Sequence, residues 1–214
     1  ALLSSCASTG PGLKSGLSFP ELGETLDRKL PAAVGRRVPA VQVALVEGGQ
    51  IVYEKAFGLA DRESGRKADA STLFQVASIS KSVTAWGALR LAQEGRLDLD
   101  APVMAQEGRW KLPPSSFDAG GVTPRRLLSH TAGLAAFGFP GVSPDQRLPS
   151  LEESLSGNNE GKGRREPSRE LRLVAAPGSA FSYTGGGYTL LQLLIEERSG
   201  QDFAAYMRDS VLLP

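Results

Sequence analysis

The sequence predicts a chain of the α+β class, and two observations carry that expectation. Residues 41–46 and 50–57 are rich in β-branched and aromatic side chains and are separated by Gly48-Gly49, a pair suited to a tight turn; together they read as an antiparallel hairpin. Several later segments place apolar residues at helical spacing, so the strands come early and helices dominate the rest of the chain.

Taken in order, residues 22–34 put Leu22, Leu26, Leu30 and Val34 four apart, which predicts a helix that packs on the hairpin and ends near Pro31. Residues 78–94 repeat the helical pattern through Val83, Trp86, Leu89 and Leu91, with Gly95 as the stop. Thr123-Pro124 reads as a cap followed by proline at the first helical position, opening a short helix that runs to Ser129. Residues 187–198 form a second strong helix closed by Gly200, and residues 202–213 an amphipathic stretch. The mixed-charge, glycine-rich run 157–167 reads as a solvated loop.

Composition narrows the function. The 214 residues are enough for one large domain or two small interleaved ones, and a 41% hydrophobic content suits a globular core. Twenty-four basic against 23 acidic residues give a charge of +1, with no electrostatic footprint for nucleic acid, so a small-molecule or peptide substrate is the expected partner. A single cysteine and a single histidine leave no disulfide framework and no closed zinc site.

The N-terminus is read apart from the fold. Leu3-Ser4-Ser5-Cys6 resembles the end of a bacterial lipoprotein signal, so residues 1–17 are either a signal remnant, with Cys6 as a lipid-bearing membrane anchor, or a flexible tail with a free cysteine. Residues 18–214 are the expected domain, divided into a helix and hairpin at 18–77 and a mostly helical lobe at 78–214.

The chemistry rests on a serine. The spacing Ser-x-x-Lys occurs twice, at Ser64/Lys67 and at Ser78/Lys81, but only the second pair opens a long helix, where residues three apart share a face. A serine hydroxyl needs a base to become a nucleophile, and a lysine whose pKa is lowered can supply one. At a helix start, the Ser78 N–H also faces a developing oxyanion. Downstream, Tyr183-Thr184-Gly185-Gly186-Gly187 joins a turn to a helix; Tyr183 offers a phenol for proton transfer and the glycines leave room beside it. Each of these residues has a plainer reading as a cap, a surface lysine or an aromatic loop anchor. Nucleophile elbows, Walker loops and dinucleotide fingerprints are absent, and the setting of His130, at a helix end that turns on Gly133, reads as structural.

Three segments in this order resemble the serine β-lactamase and penicillin-binding-protein family, which includes class C β-lactamases, DD-carboxypeptidases and related esterases. They are Phe74-Gln75-Val76-Ala77-Ser78-Ile79-Ser80-Lys81, Leu127-Leu128-Ser129-His130-Thr131-Ala132-Gly133-Leu134, and Tyr183-Thr184-Gly185. The resemblance implies an antiparallel sheet flanked by helices plus a mostly helical lobe, and a periplasmic or extracellular location. It also implies a cofactor-free serine hydrolase of esters, amides or peptides, in which Ser78 forms an acyl-enzyme while Lys81 and Tyr183 move protons. A β-lactamase, a D-alanyl-D-alanine carboxypeptidase and a non-catalytic penicillin-binding module are the alternatives.

Two departures from the family pattern bear on substrate. The position two residues after the tyrosine, where an asparagine amide usually holds the substrate, is Gly185, so the substrate-binding donors there are lost. The third family motif, a Lys or His followed by Thr or Ser and Gly on a late strand, does not occur. The chain reaches Leu212-Leu213-Pro214 where relatives continue into further strands, and it reads as a fragment lacking the C-terminal strands.

Overall fold

The computed structural model describes residues 16–35, 37–106, 108–135, 142, 145–158 and 169–213. Cys6 and the rest of the stretch 1–15 lie outside the described residues, as does the run 157–167 beyond Asn158. The chain divides into two compact units, Ala1–Gln75 and Val76–Pro214.

In the first unit, helix α1 (Phe19–Ala33) begins with a reciprocal cap: Ser18 Oγ accepts from the Glu21 N–H while the Glu21 carboxylate accepts from the Ser18 N–H. Contrary to expectation, the helix runs past Pro31 to Ala33. Proline removes only one intrahelical donor there, and the Val34 N–H still bonds the Leu30 carbonyl beyond it. Strands β1 (Ala40–Glu47) and β2 (Gln50–Gly58) pair antiparallel across Gly48 and Gly49. Both glycines have positive φ, 57° and 80°, as the tight turn requires. Helix α1 approaches β2 at Gly23, where an added Cβ would sit 2.8 Å from the Tyr53 ring. The Tyr53 hydroxyl donates to Asp27 at 2.8 Å, and Lys55 reaches the same carboxylate oxygen at 2.9 Å. Burial and the neighbouring carboxylate push the Tyr53 phenol up to about 12.

The second unit is built round helix α6 (Gly185–Ser199), whose Leu190, Leu191, Leu193, Leu194 and Ile195 are all fully buried. Such a run covers more than one face, so the helix is the axis of the lobe rather than a half-exposed wall. Burying each of these side chains contributes about 1.5–3 kcal/mol. Around it pack α2 (Ser80–Gln93), α3 (Val103–Gln106), α4 (Pro124–Leu128), α5 (Leu151–Leu155) and α7 (Phe203–Met207). Thr123 caps α4 from the position the sequence indicated, its hydroxyl accepting from the Arg126 N–H. Gly95 (φ 69°) turns the chain away two residues after the end of α2, and Gly87 of that helix lies against Tyr206 and Met207, with the Tyr206 hydroxyl donating to the Gly87 carbonyl at 3.0 Å. Residues 208–212 widen into a π-type turn after α7, where the sequence pattern suggested a continuous amphipathic stretch.

The segment 130–135 is laced along residues 172–184. Gly133 O accepts from Val174 N and Ala175 N, Ala135 N donates to Arg172 O, Gly178 N donates to Thr131 O, and Ser182 N donates to His130 O. Gly133 makes this possible: its φ is +73°, and a Cβ would fall 2.2 Å from the Ala175 carbonyl oxygen. Gly133→Ala is therefore expected to destabilise the lobe by about 3 kcal/mol or more, because backbone strain and a backbone clash add. Urea unfolding measures this directly, and a loss under about 1 kcal/mol would show that the two segments separate without cost.

Candidate active site

Ser78 lies in a single 3-10 turn, Ala77–Ile79, that leads into α2. The α-helix itself opens two residues later than the apolar pattern indicated, at Ser80. Ala77 has φ 45°, an unfavourable angle for a residue with a side chain, and Ser78, which follows it, is exposed. One helical turn on, Lys81 Nζ donates to Ser78 Oγ at 3.1 Å. The spacing of three places both side chains on one face, as the sequence indicated.

The second partner comes from far along the chain. The Tyr183 hydroxyl lies 2.6 Å from Ser78 Oγ and donates to it. Tyr183 stands at the end of the loop pinned by residues 130–135, one residue before Thr184, which holds the N-cap position of α6 without a side-chain capping bond. Thr184 is buried, with its hydroxyl donating to the Ala135 carbonyl at 2.7 Å and its N–H to His130 Nδ1 at 3.3 Å. Helix α6 thus starts at Gly185, two residues before the position expected from its apolar pattern, and takes the glycines into its first turn.

The three groups interact electrically. Lys81 Nζ sits 5.0 Å from the Tyr183 ring centre and 5.6 Å from that of Tyr188. The Lys81 ammonium, together with the Ser78 hydroxyl, holds the Tyr183 phenol below its ordinary range by stabilising the phenolate. Burial moves the Tyr188 phenol the other way, and its hydroxyl donates to the Leu128 carbonyl at 3.1 Å.

The structure brings Ser78, Lys81 and Tyr183 within hydrogen-bonding reach of one oxygen. Gly185, half-buried two residues after Tyr183, takes the first position of α6 and presents no side chain. The other serine and lysine at the same spacing are engaged differently: Ser64 Oγ donates to Asp61 at 2.8 Å, and Lys67 bridges to Leu59. Sequence reasoning missed the place of His130. Its ring lies 4.4 Å from that of Tyr183, 5.2 Å from Tyr188 and, edge-on, 5.9 Å from Phe181. Only its solitary occurrence, within a segment already singled out, was a sequence signal. Among the described residues, no cluster of histidine, cysteine and carboxylate side chains is suited to hold a metal ion, and no helix is long and apolar enough to cross a membrane.

A serine, lysine and tyrosine converging at the head of a helix, in an α+β chain, define a class of fold and site that comparison with known proteins makes specific. Residues 26–214 match the Beta-lactamase family model, and the chain belongs to that family. It is 34% identical over 214 aligned residues to Esterase EstB of Burkholderia gladioli, covering 92% of this chain and 51% of the esterase. It is 32% identical over 173 residues to Penicillin-binding protein 4* of Bacillus subtilis (strain 168), covering 80% of this chain and 35% of that protein. The octameric penicillin-binding protein homologue from Pyrococcus abyssi superposes with a TM-score of 0.69 at 29% identity, over 91% of this chain and 42% of that one. The chain therefore has the α+β fold of these proteins and spans between a third and about half of their length.

Proposed function

We propose that the full protein is a serine hydrolase that acts through a covalent acyl-enzyme on esters, amides or peptides, with Ser78 as nucleophile. The observation that carries the reading is the position of Ser78 Oγ, 3.1 Å from Lys81 Nζ and 2.6 Å from the Tyr183 hydroxyl. Membership of a family that contains a named esterase and penicillin-binding proteins supports it.

In this mechanism Ser78 Oγ attacks the substrate carbonyl carbon, and its proton passes to the Tyr183 phenolate, whose formation Lys81 favours. The Ser78 N–H supplies one hydrogen bond to the oxyanion. As the tetrahedral adduct collapses, the bond to the leaving group breaks and Tyr183 returns the proton to it, leaving the acyl group on Ser78. The Tyr183 phenolate, regenerated by that transfer, takes a proton from water as the water oxygen attacks the acyl carbon. When the bond from that carbon to Ser78 Oγ breaks, Tyr183 returns the proton to Oγ, releasing the acid. The electron pairs and protons balance without any cofactor.

Gly185 bears on the substrate. With no amide at this position, a substrate that depends on side-chain hydrogen bonds there loses them, at about 1–3 kcal/mol for each unsatisfied group. Short-chain esters and small amides are therefore expected to be turned over with higher kcat/KM than cephalosporins. Parallel assays of the full protein on a nitrophenyl ester and a chromogenic cephalosporin test the reading: preference for the cephalosporin would make it a β-lactamase, and turnover of neither would sink the hydrolase. We place the protein in the periplasm or outside the bacterial cell, with Cys6 as a lipid anchor, on the strength of Leu3-Ser4-Ser5-Cys6. Globomycin sensitivity or mass analysis of the membrane fraction reads that directly.

A further inference from the structure

His130 is the sole histidine of the chain, and it occupies a costly backbone position. Its φ is 56°; among the described residues only Ala77, beside Ser78, shares a positive φ with a side chain attached. Such a conformation costs about 1–3 kcal/mol and persists only where the surroundings impose it. One of the two strained residues immediately precedes Ser78, and the other lies against the Tyr183 ring.

The surroundings of His130 show what its conformation achieves. The backbone carbonyl accepts from the Ser182 N–H at 2.8 Å, and the ring nitrogen Nδ1 accepts from the Thr184 N–H at 3.3 Å. These two donors bracket Tyr183, so its main chain is clamped on either side by one residue. The imidazole also covers a face of the Tyr183 ring, 4.4 Å away at a tilt of 38°. With its main chain held on both sides and the imidazole against its ring, Tyr183 presents its hydroxyl to Ser78 Oγ at 2.6 Å.

We propose that His130 is a positioning residue, a neutral imidazole that clamps the backbone and ring of Tyr183 so that the phenol stays within proton-transfer reach of Ser78. The inference rests on Ser78, Lys81 and Tyr183 being the reacting groups. Nδ1 can accept from Thr184 only when it carries no proton, which assigns the ring the Nε2–H tautomer. A protonated ring would turn a donor toward the Thr184 N–H and add a second cation near Lys81. The titratable groups facing it are Lys81 from α2, Tyr183 from the loop and Tyr188 from α6. None of them is a carboxylate, and burial with the Lys81 charge holds the imidazole below its ordinary range.

The experiment has a spectroscopic arm and a kinetic arm, both on the full protein. Long-range nitrogen-proton correlation NMR is read on the imidazole signal that is absent from H130N. The Nε2–H tautomer, titrating below the ordinary histidine range, is expected; an Nδ1–H tautomer overturns the clamp. In the kinetic arm, H130A removes both acceptor and ring, whereas H130N keeps an acceptor oxygen and tolerates the left-handed backbone. H130A is expected to lower kcat by about 10- to 100-fold, the scale of a misplaced catalytic group. KM should change by less than about threefold, because ground-state binding is untouched. H130N is expected to recover most of the loss. In the wild type, log kcat/KM should bend further downward where the NMR signal shows the imidazole gaining its proton, and H130N should lack that bend.

A folded H130A with wild-type kcat, an H130N no better than H130A, or an unchanged bend in H130N would each overturn the inference. Thermal melts confirm that each variant is folded. A wild type that hydrolyses no ester would count against the hydrolase reading alone, and the tautomer would still decide whether His130 holds Thr184.

Discussion

Ser78→Ala in the full protein is expected to abolish acyl-enzyme formation and to lower kcat by roughly a million-fold, the scale on which a hydrolase loses its nucleophile. Ser64→Ala is expected to change neither. The contrast is physical: the Ser64 hydroxyl is tied to Asp61 in an exposed turn, while Ser78 Oγ has Lys81 and Tyr183 on either side of it. Stability should hardly move, because Ser78 is exposed and its replacement leaves no buried partner unsatisfied. Intact-mass spectrometry after treatment with a fluorophosphonate reads the outcome, and an adduct that persists on Ser78→Ala would remove the serine from its role. The same measurement separates an enzyme from a binding module, since only a competent serine is labelled.

How much of the fold and site was legible in the sequence depends on the range of the interactions. The Ser78 and Lys81 pairing is a three-residue relation, fixed once a helix is recognised, and the Gly48-Gly49 turn is equally local. Tyr183 was legible as a type of residue in a type of loop, but nothing local states that its hydroxyl meets Ser78 across 105 positions. The family resemblance supplied that link. The clamp by His130 was invisible for the same reason, since it depends on how residues 130–135 pair with 172–184. Element ends were the other weak point. Ser78 sits in a 3-10 turn that an apolar period cannot distinguish from the start of an α-helix, and Gly185 and Gly186 join α6 because tertiary packing, not propensity, decides a first turn.

The second large effect concerns the proton. If Tyr183 takes the proton of Ser78, the form that acts is the phenolate, so the rate of acylation should rise with pH and level off above the pKa of the phenol. Lys81 and Ser78 lower that pKa, so the levelling is expected below the ordinary tyrosine value of 10.0. Tyr183→Phe removes the group while keeping the ring against His130 and should lower kcat by about 10²- to 10⁴-fold, with the rising limb gone. Lys81→Ala acts differently: it leaves the phenol in place but takes away the cation that stabilises its ionised form. Its rising limb should survive and move to higher pH, toward 10, because the first and largest cause of the lowered value has been removed. Stopped-flow acylation by a nitrophenyl ester, traced from about pH 6 to 10 for the wild type and both variants, separates the two roles. A wild-type limb that persists unchanged in Tyr183→Phe would pass the proton to Lys81 itself. A limb in Lys81→Ala at the wild-type position would mean that the lysine charge does not tune the phenol, and Lys81 would then be a bystander beside a site whose base titrates without it.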